Sequence, residues 1–262
     1  MDIDLSRRFG GVARLYGEAG LVQLQASHIA VIGIGGVGSW AAEALARNAV
    51  GTITLVDLDN VAESNVNRQL HAVEGSFGKA KVTAMAERMR SINPLIKVTE
   101  IENFVTSENI AQLFSTKLDG VIDCMDDAKA KMALAAFCKT QQIPFVMVGG
   151  AGGRLDPTRI QAADLSLVQH DKLLAKVRNV LRRDYGFAKG RDGVKQKQPK
   201  MYVPCVYSDE PVIRPEAKPA SACEVDNAIT GLNCAGYGSS VCVTAPFGFA
   251  AVALLFKAML NK

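Results

Sequence analysis

Histidine, tryptophan and paired cysteine are scarce in this chain. Its 262 residues hold three histidines, one tryptophan and six cysteines. His28, His71 and His170 are widely separated, so the sequence offers no histidine cluster and none is assigned chemistry. Cys124, Cys138, Cys205, Cys223, Cys234 and Cys242 include no Cys-x-x-Cys pair, which argues against a thiolate zinc site. Six thiols in a chain of this length are too few for a disulfide scaffold. The start, Met1-Asp2-Ile3-Asp4-Leu5-Ser6-Arg7-Arg8, is charged and mixed and has no apolar leader. A cytoplasmic compartment with reduced thiols is the expectation. Internal repeats and a dividing linker are also missing. Hydrophobic residues make up 48% and charged residues 21%, which excludes a disordered chain, a collagen and a coiled-coil rod.

The totals also lack a strong charge bias, at a formal net of +4. The distribution is uneven. Residues 171–200 carry ten basic side chains against three acidic ones, a local net of +7 that leaves −3 for the rest. Lys172, Lys176, Arg178, Arg182 and Arg183 form its first half. Such a patch can neutralise several phosphates, which points to nucleic acid. A solvated helix face followed by a mobile loop accounts for the same residues.

From His28 to Val148 the chain alternates between short β-branched runs and helical spacing. Strands are predicted over 28–33, 52–57, 97–104, 121–124 and 144–148. Helices are predicted over 37–48, 79–92, 107–114 and 127–141. The later chain is less regular, with strands at 159–165 and 201–207 and an amphipathic helix at 167–183. This predicts an α/β fold of Rossmann-like, doubly wound type: a largely parallel sheet with helices on both faces and an antiparallel C-terminal extension. Residues 236–256 have no charge over 21 positions, long enough for a membrane span. Pro246 and the flanking small residues favour a helix buried in the fold or in a dimer interface. The alternative is inner-membrane association through this segment.

The sharpest local signal is Gly33-Ile34-Gly35-Gly36-Val37-Gly38, between a predicted strand and a predicted helix. Gly33 permits the turn, Gly35 lets backbone approach a phosphate, and Gly38 lets the helix pack on the strand. A phosphate then sits at the helix N-terminus. The next strand ends in Asp57, and an acid there suits a ribose hydroxyl. Asp57-Leu58-Asp59 is followed by Asn65, Asn67, Arg68, Gln69, Lys79 and Lys81. That is more positive charge and hydrogen bonding than a nicotinamide dinucleotide needs. It suits a triphosphate neutralised while phosphorus is attacked, and weighs against a NAD-dependent reductase. Asp126 follows the strand 121–124 at the edge where open α/β sheets bind ligands and could hold Mg²⁺, while Asp127 could cap the next helix.

These residues, with Ser64-Asn65-Val66-Asn67-Arg68-Gln69 and Asp123-Cys124-Met125-Asp126, resemble the ubiquitin-activating-like superfamily. The likeness runs from about Arg8 to Pro157 and returns in the apolar C-terminal helix. It implies one ATP-binding domain over 1–262, with a nucleotide-binding part, 1–157, and a substrate and dimer part, 158–262. It implies ATP and Mg²⁺ as cofactors, Asp59 on the ribose, and Asn65, Arg68 and Lys81 on the phosphates. Asp126 would be the metal ligand. It also implies a homodimer in which an N-terminal arginine crosses the interface. The usual position aligns near Gly11, leaving Arg14 or Arg8 as substitutes. Within the superfamily the chain is most similar to the tRNA-modifying branch, by Arg8-Phe9-Gly10-Gly11, Gly149–Gly153, the basic segment and Val203-Pro204-Cys205. That likeness implies ATP-dependent dehydration of threonylcarbamoyladenosine next to the tRNA anticodon, through an acyl-adenylate. The alternative is activation of a small sulfur-carrier protein, against which the missing cysteine pairs and the basic segment weigh. Relatives form thioesters or persulfides, so Cys234 is a candidate reactive thiol, with an unreactive cysteine favoured. A sulfur-acceptor protein linked to a cysteine desulfurase is a further implied partner.

Overall fold

The computed structural model describes residues 3–190, 198–213 and 237–261. In chain order the elements are α1 (Leu5–Tyr16), α2 (Glu18–Ala26), β1 (His28–Ile32), α3 (Gly38–Arg47), β2 (Thr52–Val56), α4 (Lys81–Ile92) and β3 (Lys97–Ile101). There follow α5 (Ile110–Leu113), β4 (Gly120–Asp123), α6 (Ala128–Gln141), β5 (Phe145–Val148), β6 (Ile160–Asp164), α7 (Lys172–Asp184), β7 (Pro204–Ser208) and α8 (Val241–Met259). The sheet has the order β3-β2-β1-β4-β5-β7-β6. Every neighbouring pair is parallel except β6 with β7. The expected doubly wound sheet with one antiparallel addition is therefore present.

Strand alternation divides the core. Ile29 and Val31 of β1 pack on one face with α3, α4 and α8, whereas Ala30 and Ile32 pack on the other with α6 and α7. Each of these side chains is at most 1% exposed, worth roughly 1.5–3 kcal/mol for a buried Val or Ile. Acidic and hydroxyl caps set several helix starts. Asp4, Asp127, Asp171 and Ser240 accept from Arg7, Ala130, Leu174 and Cys242 backbone N–H groups respectively.

Several boundaries differ from the sequence reading. The strand predicted over 97–104 stops at Ile101. The helix predicted from 167 starts at Lys172, because Asp171 caps it there. The strand predicted from 201 starts at Pro204. The apolar C-terminal helix begins at Val241 and is long and apolar enough to cross a membrane, but half of its most apolar stretch is buried. Val243, Phe247, Ala251 and Leu255 belong to the core on the α3 side of the sheet, while Phe249 and Ala253 remain exposed.

Candidate nucleotide and acyl-transfer site

The topological switch lies between β1 and β4, where strand order reverses, and the glycine loop opens at that point. Gly33 has φ +85° and its N–H donates to the Val56 carbonyl at 2.9 Å. A Cβ on Gly38 would collide with the Gly33 carbonyl oxygen, so only glycine lets α3 start this close to the loop. No side chain caps α3, which leaves its N-terminal dipole facing the cleft.

Asp57 is committed to building the loop. Its Oδ2 accepts from the Ile34 N–H at 2.6 Å and its Oδ1 from the Asp59 N–H at 2.9 Å. Burial pushes this carboxyl up, and nearby Lys81 works against that. Asp59 is different: its side chain is 59% exposed and pairs with Lys81 at the cleft. The structure therefore separates two acids that the sequence treats as a pair. One braces the loop and the other faces the cleft.

Lys81 opens α4 and is buried, with Nζ 2.7 Å from Asp59 Oδ2 and 3.8 Å from Asp57 Oδ1. Arg68 leaves a tight turn in which Asn65 Oδ1 accepts from the Ala62 N–H at 3.1 Å. The Arg68 stem crosses Gly36, where a Cβ would lie 3.2 Å from its Cγ. Its Nη1 donates to the Ser64 carbonyl at 2.9 Å and to Asn67 Oδ1 at 2.8 Å. Gly35, Gly36, Arg68 and Gln69 thus converge, with buried Gln69 Nε2 3.9 Å from where a Gly35 Cβ would sit. His71 is buried nearby; burial, with Lys81, pushes it down to about 4, so it is neutral at pH 7.

Three supports escaped the sequence reading. Trp40 Nε1 donates to the Arg68 carbonyl at 3.0 Å. Asn67 Nδ2 donates to the Ser239 carbonyl at 2.7 Å, and the Val241 N–H to the Asn67 carbonyl at 3.1 Å. Thr244 packs beside Gly36 and Arg68. The start of α8 therefore clamps the Arg68 turn across more than 170 residues of sequence, a distance over which local pattern carries no signal.

Asp126 is half-buried past the end of β4, with no hydrogen bond or ion pair among the described residues. Its neighbour Asp127 caps α6 at 2.7 Å, as expected. Among the described residues no group of three or more His, Cys, Asp or Glu converges as a metal cage. One open carboxylate beside a phosphate loop still fits Mg²⁺, which takes one or two carboxylates and completes its shell with phosphate oxygens and water. Behind Asp126, fully buried Lys131 donates to Asp123 Oδ1 at 3.0 Å and to the Val148 carbonyl at 2.7 Å. It ties the ends of β4 and β5 together. The sequence reading missed it, because a lysine in an Ala-rich helix looks solvent-facing.

The basic helix needs correction as a phosphate surface. Arg178 Nη1 donates to the Val168 carbonyl at 2.6 Å, and Arg182 Nε to the Ala188 carbonyl at 3.2 Å, so both brace loops. Lys172, Lys176 and Arg183 are exposed, Arg183 in a pair with adjacent Asp184. Arg191, Lys195 and Lys197 lie outside the described residues, as does Cys234. Of the described thiols, Cys124, Cys138 and Cys205 are pushed far up by burial, and Cys242 is exposed. Of the two N-terminal arginines, Arg8 is held by the Ile92 carbonyl at 2.7 Å, while Arg14 stands exposed on α1. A cavity of about 680 Å³ opens at the opposite, N-terminal edge of the sheet, lined by Ser27, Lys117, Asp119 and Pro144, and takes no part in this site.

Residues 6–261 match the family model described as the ThiF family. The chain belongs to the ThiF family. This ThiF-family chain is 46% identical over 260 residues to the tRNA threonylcarbamoyladenosine dehydratase of Escherichia coli (strain K12), covering 98% of this chain and 94% of that protein. The solved structure of E. coli tRNA N6-threonylcarbamoyladenosine dehydratase in complex with ATP superposes with a TM-score of 0.85 at 44% identity, covering 100% of this chain and 98% of that one. Similarity to the E. coli molybdopterin-synthase adenylyltransferase is shorter, 32% over 133 residues, or 51% of this chain and 52% of that protein.

Proposed function

We propose that this protein uses ATP to dehydrate threonylcarbamoyladenosine in tRNA, closing a ring on the modified base. The observation that carries the reading is the end-to-end similarity to the E. coli dehydratase, where the sulfur-carrier activator matches only half the chain. The cleft chemistry agrees with it. A carboxylate oxygen of the threonyl group attacks the α-phosphorus, and the bond to pyrophosphate breaks. The carbamoyl oxygen or nitrogen then attacks the acyl carbon, AMP departs with the former carboxylate oxygen, and a proton is lost. The atoms of one water have left the substrate. Ring closure is intramolecular, so proximity supplies much of its rate and no enzyme nucleophile is needed.

The residues divide this work. Asp59 binds the ribose, and Arg68 and Lys81 hold the phosphates and neutralise charge as phosphorus is attacked. Asp126 would hold magnesium, which supplies further charge screening on the phosphates. Arg14, exposed on α1, is the residue that a second copy would donate in a homodimer. A cytoplasmic location accompanies a tRNA substrate, and Cys234 has no step in this chemistry.

Formation of AMP and pyrophosphate should depend on tRNA carrying threonylcarbamoyladenosine. Equal rates with unmodified tRNA, or a requirement for a ubiquitin-like protein, would sink the reading. Lys172, Lys176 and Arg183 would contact tRNA phosphates. Replacing Lys176 and Arg183 with alanine should lower the dependence of log Kd on log salt by about 1.5–2 and weaken binding across tRNA sequences. An unchanged salt slope would exclude α7 from the interface.

A further inference from the structure

A second polar pocket lies on the strand next to Asp126. Asp123 of β4 pairs in register with Met147 of β5, so Asp126 and Gly150 each follow three residues later on neighbouring strand ends. Such strands run about 4.8 Å apart. The pocket holds about 60 Å³ and is lined by Gly150, Gly152, Arg154, Asp171, Lys172 and Tyr237. None of the residues assigned to the nucleotide lines it.

Arg154 is the unusual group. Its residue is 2% exposed. Nη2 donates to the His170 carbonyl at 2.9 Å, but buried Nε and Nη1 have no hydrogen-bond partner among the described residues. Leaving guanidinium donors buried and unanswered opposes folding, so such an arrangement calls for a partner, an ordered water or a ligand group. Burial pushes the Arg154 guanidinium down and Arg159 adds to this, while Asp171, Glu210 and Asp209 oppose it through space but bond elsewhere. Asp171 accepts from the Leu174 N–H at 2.9 Å and the Gly150 N–H at 2.8 Å. Glu210 accepts from the Leu155 and Asp156 N–H groups, and Asp209 pairs with Arg159.

The walls are fixed as well. A Cβ on Gly149 would collide with the Asp171 carboxylate, so glycine lets α7 dock against the end of β5. Gly153 accepts from the Ile213 N–H at 2.9 Å and donates to the Gly238 carbonyl at 2.7 Å. The space is too small for a nucleoside, and Arg154 and Lys172 bring two positive charges to it against the committed carboxylate of Asp171.

We propose that Arg154, with Lys172 at the rim, binds the carboxylate of the acyl substrate beside the nucleotide and selects for that group. This rests on the functional reading above and adds a specificity-determining residue to it. A guanidinium matches a planar carboxylate in charge and geometry. A carboxylate held there would sit on the same edge of the sheet as the glycine loop, one strand beyond Asp126.

The test uses the full chain and a short anticodon stem-loop RNA bearing threonylcarbamoyladenosine, with ADP present for binding and ATP for turnover. A second RNA carries a carboxamide in place of the carboxyl. The parent protein should bind the acid about tenfold or more tightly than the amide. Arg154→Met should abolish that preference and raise KM for the RNA, leaving the ATP dissociation constant unchanged. Arg154→Lys should restore part of it, and Lys172→Ala, at an exposed position, should narrow it. Equal binding of both RNAs by the parent overturns the proposal, and that arm needs no variant to fold. A preference that survives in Arg154→Met overturns it too. A parent protein that neither binds nor turns over the acid RNA removes the functional reading, and this proposal with it.

Discussion

Replacing Lys81 with methionine should lower the rate of AMP formation on modified tRNA by about two to three orders of magnitude. The size follows from where the ammonium sits. Its residue is 6% exposed, and its charge is poorly screened by water. Nζ reaches Asp59 Oδ2 at 2.7 Å and lies 3.8 Å from Asp57 Oδ1, the acid that braces the glycine loop. Removing it also leaves Asp57 with less counter-charge, since burial already pushes that carboxyl up and Lys81 opposes the push. Asp57 holds the Ile34 and Asp59 N–H groups, so the loop's shape should loosen and ATP affinity should fall together with the chemical step. Steady-state AMP release and calorimetric titration of ATP measure the two parts. A rate within about threefold of the parent would contradict the assignment of Lys81 to the reacting phosphates. Lys81→Arg should not rescue fully, because the planar fork does not fit a buried point-charge site.

The second large effect is on stability. Lys131→Met should destabilise the fold by about 3–5 kcal/mol. Both partners of the Lys131–Asp123 pair are 0% exposed, and the variant leaves the buried Asp123 carboxyl without its counter-charge. It also removes the donor to the Val148 carbonyl. The pH dependence has a definite sign. Burial pushes the Asp123 carboxyl above its usual range and Lys131 pulls it back. Without Lys131 the upward push of burial is opposed by the Met125 N–H, which donates to Asp123 Oδ1 at 3.1 Å, and no longer by a counter-charge. The unfolded chain then loses this proton near about 4, while the folded chain keeps it to higher pH. The variant's stability should therefore fall as pH rises from about 4 towards neutrality, more steeply than the parent's. Denaturant melts across that range measure this. The double change Asp123→Leu with Lys131→Met should recover most of the loss, because an apolar pair needs no counter-charge. A double variant as unstable as the single one would show that the charge is not the cause.

Local chemistry made much of the site readable in sequence. The glycine loop, its place between strand and helix, and the clustering of Asp59, Arg68 and Lys81 are all short-range patterns. Asp127 as a cap is legible for the same reason, because capping is a matter of three residues. The N-terminal helices were not legible. Gly10 and Gly11 weaken α1 as a helix, and α2 shows little amphipathic period. Packing of Phe9, Ala13, Leu21 and Ala49 holds them instead.

By itself, then, the sequence determined the strand and helix alternation, the glycine loop between β1 and α3 and the set of charged residues after it. These depend on backbone conformation and neighbours within a turn or two. Which charges are available to a ligand was decided only by the tertiary structure. Asp57 turns inward to Ile34 while Asp59 faces out, and Arg178 and Arg182 brace carbonyls while Lys172 and Lys176 stay exposed. Lys131 and Arg154 read as ordinary surface cations until the sheet buries them. The reason is the same in each case. A polar group's role follows from desolvation and from which distant backbone groups it satisfies, and both are set when remote segments pack.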